Sequence, residues 1–203
     1  MNFDLSLFIR ESNLIDPQPD QNGGVIPGAL PGDLLYDNQK NAWDYIESIK
    51  NDKQWTKDVP LNIHRLLTKD VPFFEYNNFS GKYRTYNVTV GGHACPAFYT
   101  VPGLMEDILI PKINQLFKGV EIGKIDKDVA AWWVHNCFEC IHPFVDGNGR
   151  TGRLMLNAFL LANQGEPEIV YFNKRFEYYN KIQTFRNERF GDILNEYYEK
   201  FVS

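Results

Sequence analysis

Cysteine is scarce in this chain. Cys95, Cys137 and Cys140 are odd in number and too few to staple 203 residues, so a disulfide scaffold is ruled out and reduced thiols in a cytoplasm are expected. No apolar run approaches the roughly 20 residues that cross a bilayer. The opening segment, Met1 to Arg10, also lacks a basic region followed by an apolar stretch and a cleavage site. No membrane and no export is the expectation, which removes the significance of the glycosylation-type triplets at Asn78 and Asn87. An excess of positive charge is missing too. A net charge of -5 and a pI near 5.4 provide no global field for a phosphate backbone, which argues against nucleic acid as a partner. Internal repeats, coiled-coil heptads and low-complexity tracts are likewise absent.

Apolar material is ample: 43% hydrophobic and 15% aromatic residues can build one compact core. Residues 16 to 33 hold four prolines and four glycines, which break helix and strand alike, and read as a long surface loop. Before it, Phe3, Leu7 and Phe8 are spaced for one face of a short helical arm. After it, helices are expected at about 37 to 50, carrying Trp43, Ile46 and Ile49, and at about 59 to 68, carrying Leu61, Leu66 and Leu67, with helical character stopping at Val71-Pro72. Residues 81 to 101 turn β-branched and aromatic around Gly91-Gly92 and read as a hairpin. Helical spacing returns from Val101 through Leu116 and again from about Asp126 to Ile141. A helix apolar around most of its circumference, Leu154 to Leu161, should end at Asn163-Gln-Gly165 and lie in the core. The last forty residues suggest two amphipathic helices broken near Gly191. Helix dominates, so the fold class is mainly α, in a single domain.

Chemistry concentrates in one segment, His142-Pro-Phe-Val-Asp-Gly-Asn-Gly-Arg-Thr-Gly-Arg153, where one helix ends and another begins. First-turn N–H groups of the second helix lack intrahelical acceptors and face an anion. Gly147 and Gly149 let the backbone approach a phosphate closely. Arg150 and Arg153, three apart, fall on one helix face from which guanidinium groups can grip polyphosphate oxygens. Asp146 is the hard oxygen ligand that Mg2+ takes when it also bridges phosphates. His142 can take a proton near neutral pH. Taken singly, each has a plain structural reading as a cap, a turn or a solvated face. Their convergence in twelve consecutive residues points to one anionic ligand.

Two other patterns compete. Gly147 to Gly152 spells G-x-G-x-x-G, but a dinucleotide fold needs a strand before it, and here a helix precedes. Cys137-Phe-Glu-Cys140, flanked by His135 and His142, could be a redox pair or a structural zinc site. Both cysteines fall inside a helix, where buried thiols are the plainer reading.

The segment from His142 to Arg153 resembles the H-x-F-x-[D/E]-G-N-G-R-x-x-R signature of the Fic family at every defining position. Gly81-Lys-Tyr-Arg-Thr-Tyr-Asn-Val-Thr-Val90 resembles that family's flap hairpin, and Arg175-Phe-Glu-Tyr-Tyr179 resembles a segment following its motif. The resemblance implies a helical Fic fold with the hairpin flap beside the active loop. Residues 1-35 would form an arm and loop, and 36-203 the catalytic domain. It implies protein adenylyl transfer: His142 as general base toward a Ser, Thr or Tyr hydroxyl, Phe144 as a buried anchor, and Asp146 on Mg2+. Gly147, Asn148, Gly149, Arg150 and Arg153 would bind the phosphates of ATP, and pyrophosphate would leave. Flap residues Tyr86, Asn87, Val88, Thr89 and Val90 would align the target's backbone by strand addition. The partner would be a protein with an exposed hydroxyl, self-modification included. Gly149 points away from the Doc-like kinase branch, where that position is typically Lys.

Many members carry an inhibitory [S/T]-x-x-x-E-[G/N] helix whose Glu pairs with the second motif Arg. Ser12-Asn-Leu-Ile-Asp16-Pro17 resembles it, with Asp one methylene shorter than Glu and Pro for the small residue, and implies a weaker restraint on Arg153. Thr184 to Arg189 is a second, poorer match. Alternatives at this level are a nucleotide-binding module, a de-adenylylating enzyme, and transfer from another nucleotide donor.

Overall fold

The structure is a computed structural model that describes residues 3–16 and 30–201. Most of the Pro- and Gly-rich stretch expected to be a loop, and Pro17 with it, lies outside the described residues. Helix α1 (Leu5–Ile15) starts at Asp4, whose carboxylate accepts the Leu7 N–H at 3.0 Å. Its apolar side buries Phe8 and Ile9, and Phe3 and Phe8 pack on Trp43 of α2 (Leu34–Ser48). The arm thus joins the main core. Helix α3 (Asp58–Leu67) lies against α2.

The centre is α8 (Asn148–Ala162), surrounded by α2, α3 and α7 (Lys127–Ile141). Leu154, Met155, Phe159 and Leu160 are all buried, as a helix apolar around its circumference requires. Phe159 stacks on Phe117 at 4.4 Å, with Trp55 edge-on to both rings. Helix α7 is capped by Asp126, which accepts the N–H groups of Asp128 and Val129. Only a short loop separates it from α8, and that loop is the segment from His142 onward.

Three expectations need correction. Helix does not stop at Val71-Pro72: α4 (Pro72–Asn77) begins there, because proline at the first helical position has no N–H to waste. The hairpin is smaller than the pattern suggested, with strands β1 (Thr89–Val90) and β2 (His93–Ala94) pairing across Gly91 and Gly92, both at positive φ. Tyr86, Asn87 and Val88 lie outside the strand, held by bonds such as Phe98 N–H to Asn87 Oδ1 at 3.0 Å. Nor does Gly191 break the last helix. Its backbone is helical (φ -57°, ψ -42°), and a π-helical turn, Arg186–Phe190, joins α9 (Arg175–Phe185) to α10 (Gly191–Phe201) without interruption. A similar turn, Leu104–Leu109, links α5 (Val101–Gly103) to α6 (Ile110–Glu121).

Candidate active site

His142 terminates α7 in the left-handed conformation (φ 51°, ψ 63°), a place usually given to glycine that costs another residue about 1–2 kcal/mol. Neighbours hold it there. Its N–H donates to Phe138 O at 2.9 Å, and its carbonyl accepts from Arg84 Nε at 2.8 Å. Phe144 is fully buried and stacks on His64 at 3.8 Å. The Asn148 amide closes the loop on itself, Oδ1 accepting the Phe144 N–H and Nδ2 donating to Phe144 O, each at 2.9 Å. Gly147, at φ +77°, turns the chain into α8.

His64 secures the other side of the loop. Its Nδ1 accepts the Gly81 N–H at 2.9 Å, so the ring proton sits on Nε2, which donates to Asp146 O at 3.0 Å. Burial pushes this imidazole down to about 4, and it stays neutral. The Asp146 carboxylate, half-buried at the lip of the loop, accepts the Gly147 N–H through Oδ1 at 2.6 Å.

A cavity of about 460 Å³ opens against the first turn of α8. Gly149, Arg153, His142 and Asp16 line it, with Val90 and His93 of the flap on one side and Tyr179 and Gln183 of α9 on another. The two motif arginines part company. Arg153 is on the cavity wall, whereas Arg150 is buried, its Nη2 3.7 Å from where a Gly147 side chain would begin. Arg150 Nε and Nη2 have no hydrogen-bond partner among the described residues; burial lowers the pKa of this guanidinium and Asp146 opposes that shift.

Arg153 is 1% exposed and fully engaged. Nε donates to Ser12 Oγ at 2.9 Å, Nη2 to Ser12 O at 2.9 Å and to Asp16 Oδ2 at 3.3 Å, and Nη1 to Tyr178 Oη at 3.3 Å. Tyr178 can then donate to His135 Nε2, 3.0 Å away. Burial works against the Arg153 charge, but Tyr178, Asp16 and Glu139 outweigh it and raise its pKa. Asp16 also lies over the α8 N-terminus: a side chain on Gly149 would start 2.9 Å from Asp16 Cγ and overlap its carboxylate. An anion is thus already seated on the positive end of the helix.

His142 faces the same cavity. Burial drives its imidazole down to about 4, with Asp16 the foremost opposing influence, so it is a neutral base at pH 7. Glu139, one turn earlier, puts Oε2 4.0 Å from His142 Nδ1. Burial, reinforced by Asp16, pushes Glu139 up to about 8 against Arg153 and Arg186. Both groups are therefore neutral near pH 7, and the contact is not an ion pair.

Sequence reasoning missed His64, Arg84, Glu139, Tyr178 and His135 as parts of this site. Glu139 had a signal, its i, i+3 spacing from His142; the others act through contacts distant in sequence. The competing patterns resolve plainly. A helix and loop, not a strand, precede Gly147. Cys137 and Cys140 are core side chains whose thiols burial pushes up, and His135 bonds Tyr178. Among the described residues no group of three or more His, Cys, Asp or Glu is arranged to hold a metal by itself. Glu188, of the second inhibitory match, lines a separate groove over α7.

The helical body presents a glycine-rich helix N-terminus, the buried Arg153 guanidinium and the neutral His142 imidazole to one cavity. The chain belongs to the Fic/DOC family, whose model matches residues 54–160. It is 30% identical over 175 residues to the protein adenylyltransferase Fic of Nematostella vectensis, covering 81% of this chain and 38% of that protein. To the protein of the same name from Aedes aegypti it is 36% identical over 147 residues, 71% of this chain and 26% of the relative. The chain thus spans well under half the length of these relatives. Fic-1 from C. elegans shares the fold, with a TM-score of 0.66 at 22% identity over 97% of this chain and 59% of that one.

Proposed function

We propose that this chain transfers AMP from Mg-ATP to a hydroxyl of a protein. The carrying observation is that the neutral imidazole of His142 lines the same cavity as the N-terminal turn of α8 and Arg153. The polyphosphate would lie on the first-turn N–H groups at Gly147, Asn148 and Gly149, where Asp16 now rests its carboxylate. Arg153 would take the outer phosphate oxygens once Ser12 and Asp16 withdraw, and Arg150, with two unpartnered donor atoms, would answer the charge from beneath the loop.

Asp146 fits a divalent cation in the way expected when phosphates complete the shell: one half-buried carboxylate, oriented by the Gly147 N–H at the lip of the anion site. Mg2+ held there would neutralise charge on the phosphates. The target hydroxyl attacks the α-phosphorus in line, its proton passes to His142, and the bond to the bridging oxygen breaks with release of pyrophosphate. Phosphate charge beside the ring favours the imidazolium, so bound nucleotide would raise the His142 pKa from about 4 toward neutrality and make it a stronger base when it is needed.

The target would be a protein segment carrying a Ser, Thr or Tyr hydroxyl, its backbone adding to the flap edge at Thr89 and Val90, with Tyr86, Asn87 and Val88 flanking it. Self-modification belongs to the same chemistry. Ser12 and Asp16 would restrain the enzyme by occupying Arg153 and the helix N-terminus. Adenylate rather than phosphate transfer is supported by Gly149, which stands where the kinase branch typically carries lysine. Three unpaired thiols support a cytoplasmic setting.

Cell extract incubated with α-phosphate-labelled ATP and the Asp16→Gly protein tests the reading. Label on protein, with an intact-mass gain of one adenylate, is expected, and His142→Ala in that background should lose about 10²–10⁴-fold in transfer with ATP binding retained. ATP binding without transfer by the Asp16→Gly protein would make the chain a nucleotide-binding module. Removal of adenylate from a modified protein in place of transfer would reverse the direction of the reaction.

A further inference from the structure

Arg84 forms no part of the cavity wall, yet it is 2% exposed and bonds both to the flap and to the end of α7. Its guanidinium donates to main-chain carbonyls on both legs of the flap: Nη1 to Tyr86 O at 3.0 Å and Nη2 to Pro96 O at 2.5 Å. The same fork reaches the end of α7, Nε bonding His142 O at 2.8 Å and Nη2 approaching Ile141 O at 3.5 Å, while the Arg84 N–H donates to Pro143 O at 2.9 Å. The α7 carbonyls are the negative end of a helix, where a cation is favoured. A planar guanidinium with five fixed donors can serve such a set at once; a lysine ammonium is a point with three.

We propose that Arg84 is a positioning residue that clamps the flap and His142 into one rigid unit. The left-handed His142 needs its carbonyl turned toward the flap, and Arg84 supplies the donor that keeps it there. His64 adds a second tie, joining Gly81 at the root of the flap to Asp146 across its ring. A target backbone docked on Thr89 and Val90 is thereby presented to the imidazole at a set separation. This matters because a misplacement near 1 Å can cost about a hundredfold in rate. The role rests on the adenylyl-transfer reading for its consequence, though not for the clamp itself.

Two measurements test it. In the unaltered protein, hydrogen exchange by NMR should give the amides of Arg84, of Cys95, which donates to Val88 O across the flap at 3.1 Å, and of His142 one common opening rate, because each belongs to the clamped unit. Exchange at Arg84 or Cys95 much faster than at His142 overturns the clamp, and this arm needs neither a variant nor activity. In the Asp16→Gly background, Arg84→Lys should slow adenylate transfer roughly tenfold or more with ATP affinity unchanged within about threefold. Arg84→Ala should regain rate when millimolar guanidinium chloride is added, which general loss of stability would not allow. Unchanged transfer in Arg84→Lys, or ATP affinity falling in parallel with rate, overturns the positioning role. Absence of transfer in the Asp16→Gly parent counts against the adenylyl-transfer reading instead, and leaves the exchange result to decide the clamp.

Discussion

Asp16 Oδ2 lies 3.3 Å from Arg153 Nη2, and the same oxygen sits over Gly149, so a side chain of this protein covers the anion site of its own helix α8. The contact is lopsided. Arg153 is almost wholly buried, whereas the Asp16 side chain is 41% exposed, which places the pair near the weak end of the range for ion pairs, about 1 kcal/mol.

Removing that carboxylate should therefore raise ATP affinity and adenylate transfer by roughly fivefold to tenfold in Asp16→Gly. Asp16→Glu, one methylene longer, should reach further along the guanidinium and lower both. Transfer unchanged by the first substitution and not reduced by the second would show that the arm does not restrain the site; titration calorimetry with ATP and a labelling assay read the two effects.

Stability should peak near pH 6.5. His64, His135 and His142 are held neutral with folded pKa values of about 4, 3 and 4, so the unfolded chain binds more protons below 6.5 and stability is lost as pH falls. Glu139 has the opposite sign. Its folded pKa near 8 exceeds the ordinary 4.5, so its contribution is full below 4.5 and fades as pH rises through 8. Between 4.5 and 6.5 three histidines outweigh Glu139; above 6.5 the histidines add no further slope and the raised carboxyl of Glu139 sets the direction. Melting temperatures measured from pH 4.5 to 8.5 should trace this maximum, and Glu139→Gln should flatten its alkaline side. A variant that melts with the wild-type alkaline slope contradicts the assignment.

His64→Leu keeps apolar packing on Phe144 and strips both ends of the bridge, leaving the buried Gly81 N–H without its acceptor and the Asp146 carbonyl without its His64 donor. The loss should be about 2–4 kcal/mol in urea unfolding, accompanied by weaker Mg-ATP binding because Asp146 loses its anchor. A drop below about 0.5 kcal/mol would mean that water or another group satisfies these atoms.

Gly152→Ala places a methyl against Glu139 Oε1 and 2.9 Å from His135 Nδ1, both of them buried side chains. A cost of about 1–3 kcal/mol is expected from overpacking, readable as a lower urea midpoint. Wild-type stability in this variant would show that Glu139 has room to move.

The sequence by itself determined the mainly helical fold, the central helix built on Leu154 to Leu161 and the loop from His142 to Arg153. Each of these follows from local periodicity, or from residue types within one helical turn of one another, and such signals survive without knowledge of neighbours. It also pointed to the Ser12 to Asp16 segment through its pattern. Tertiary structure alone decided that Arg153 rather than Arg150 lines the cavity, that His142 is a neutral imidazole, and that Glu139 is a neutral acid beside it. Burial sets a pKa, and burial is a property of the packed chain, not of a residue or its spacing. The same holds for His64 and Arg84. Their hydrogen bonds join carbonyls and amides more than fifty residues apart or across separate loops, and every main-chain carbonyl looks alike until the fold brings one within reach of a buried donor.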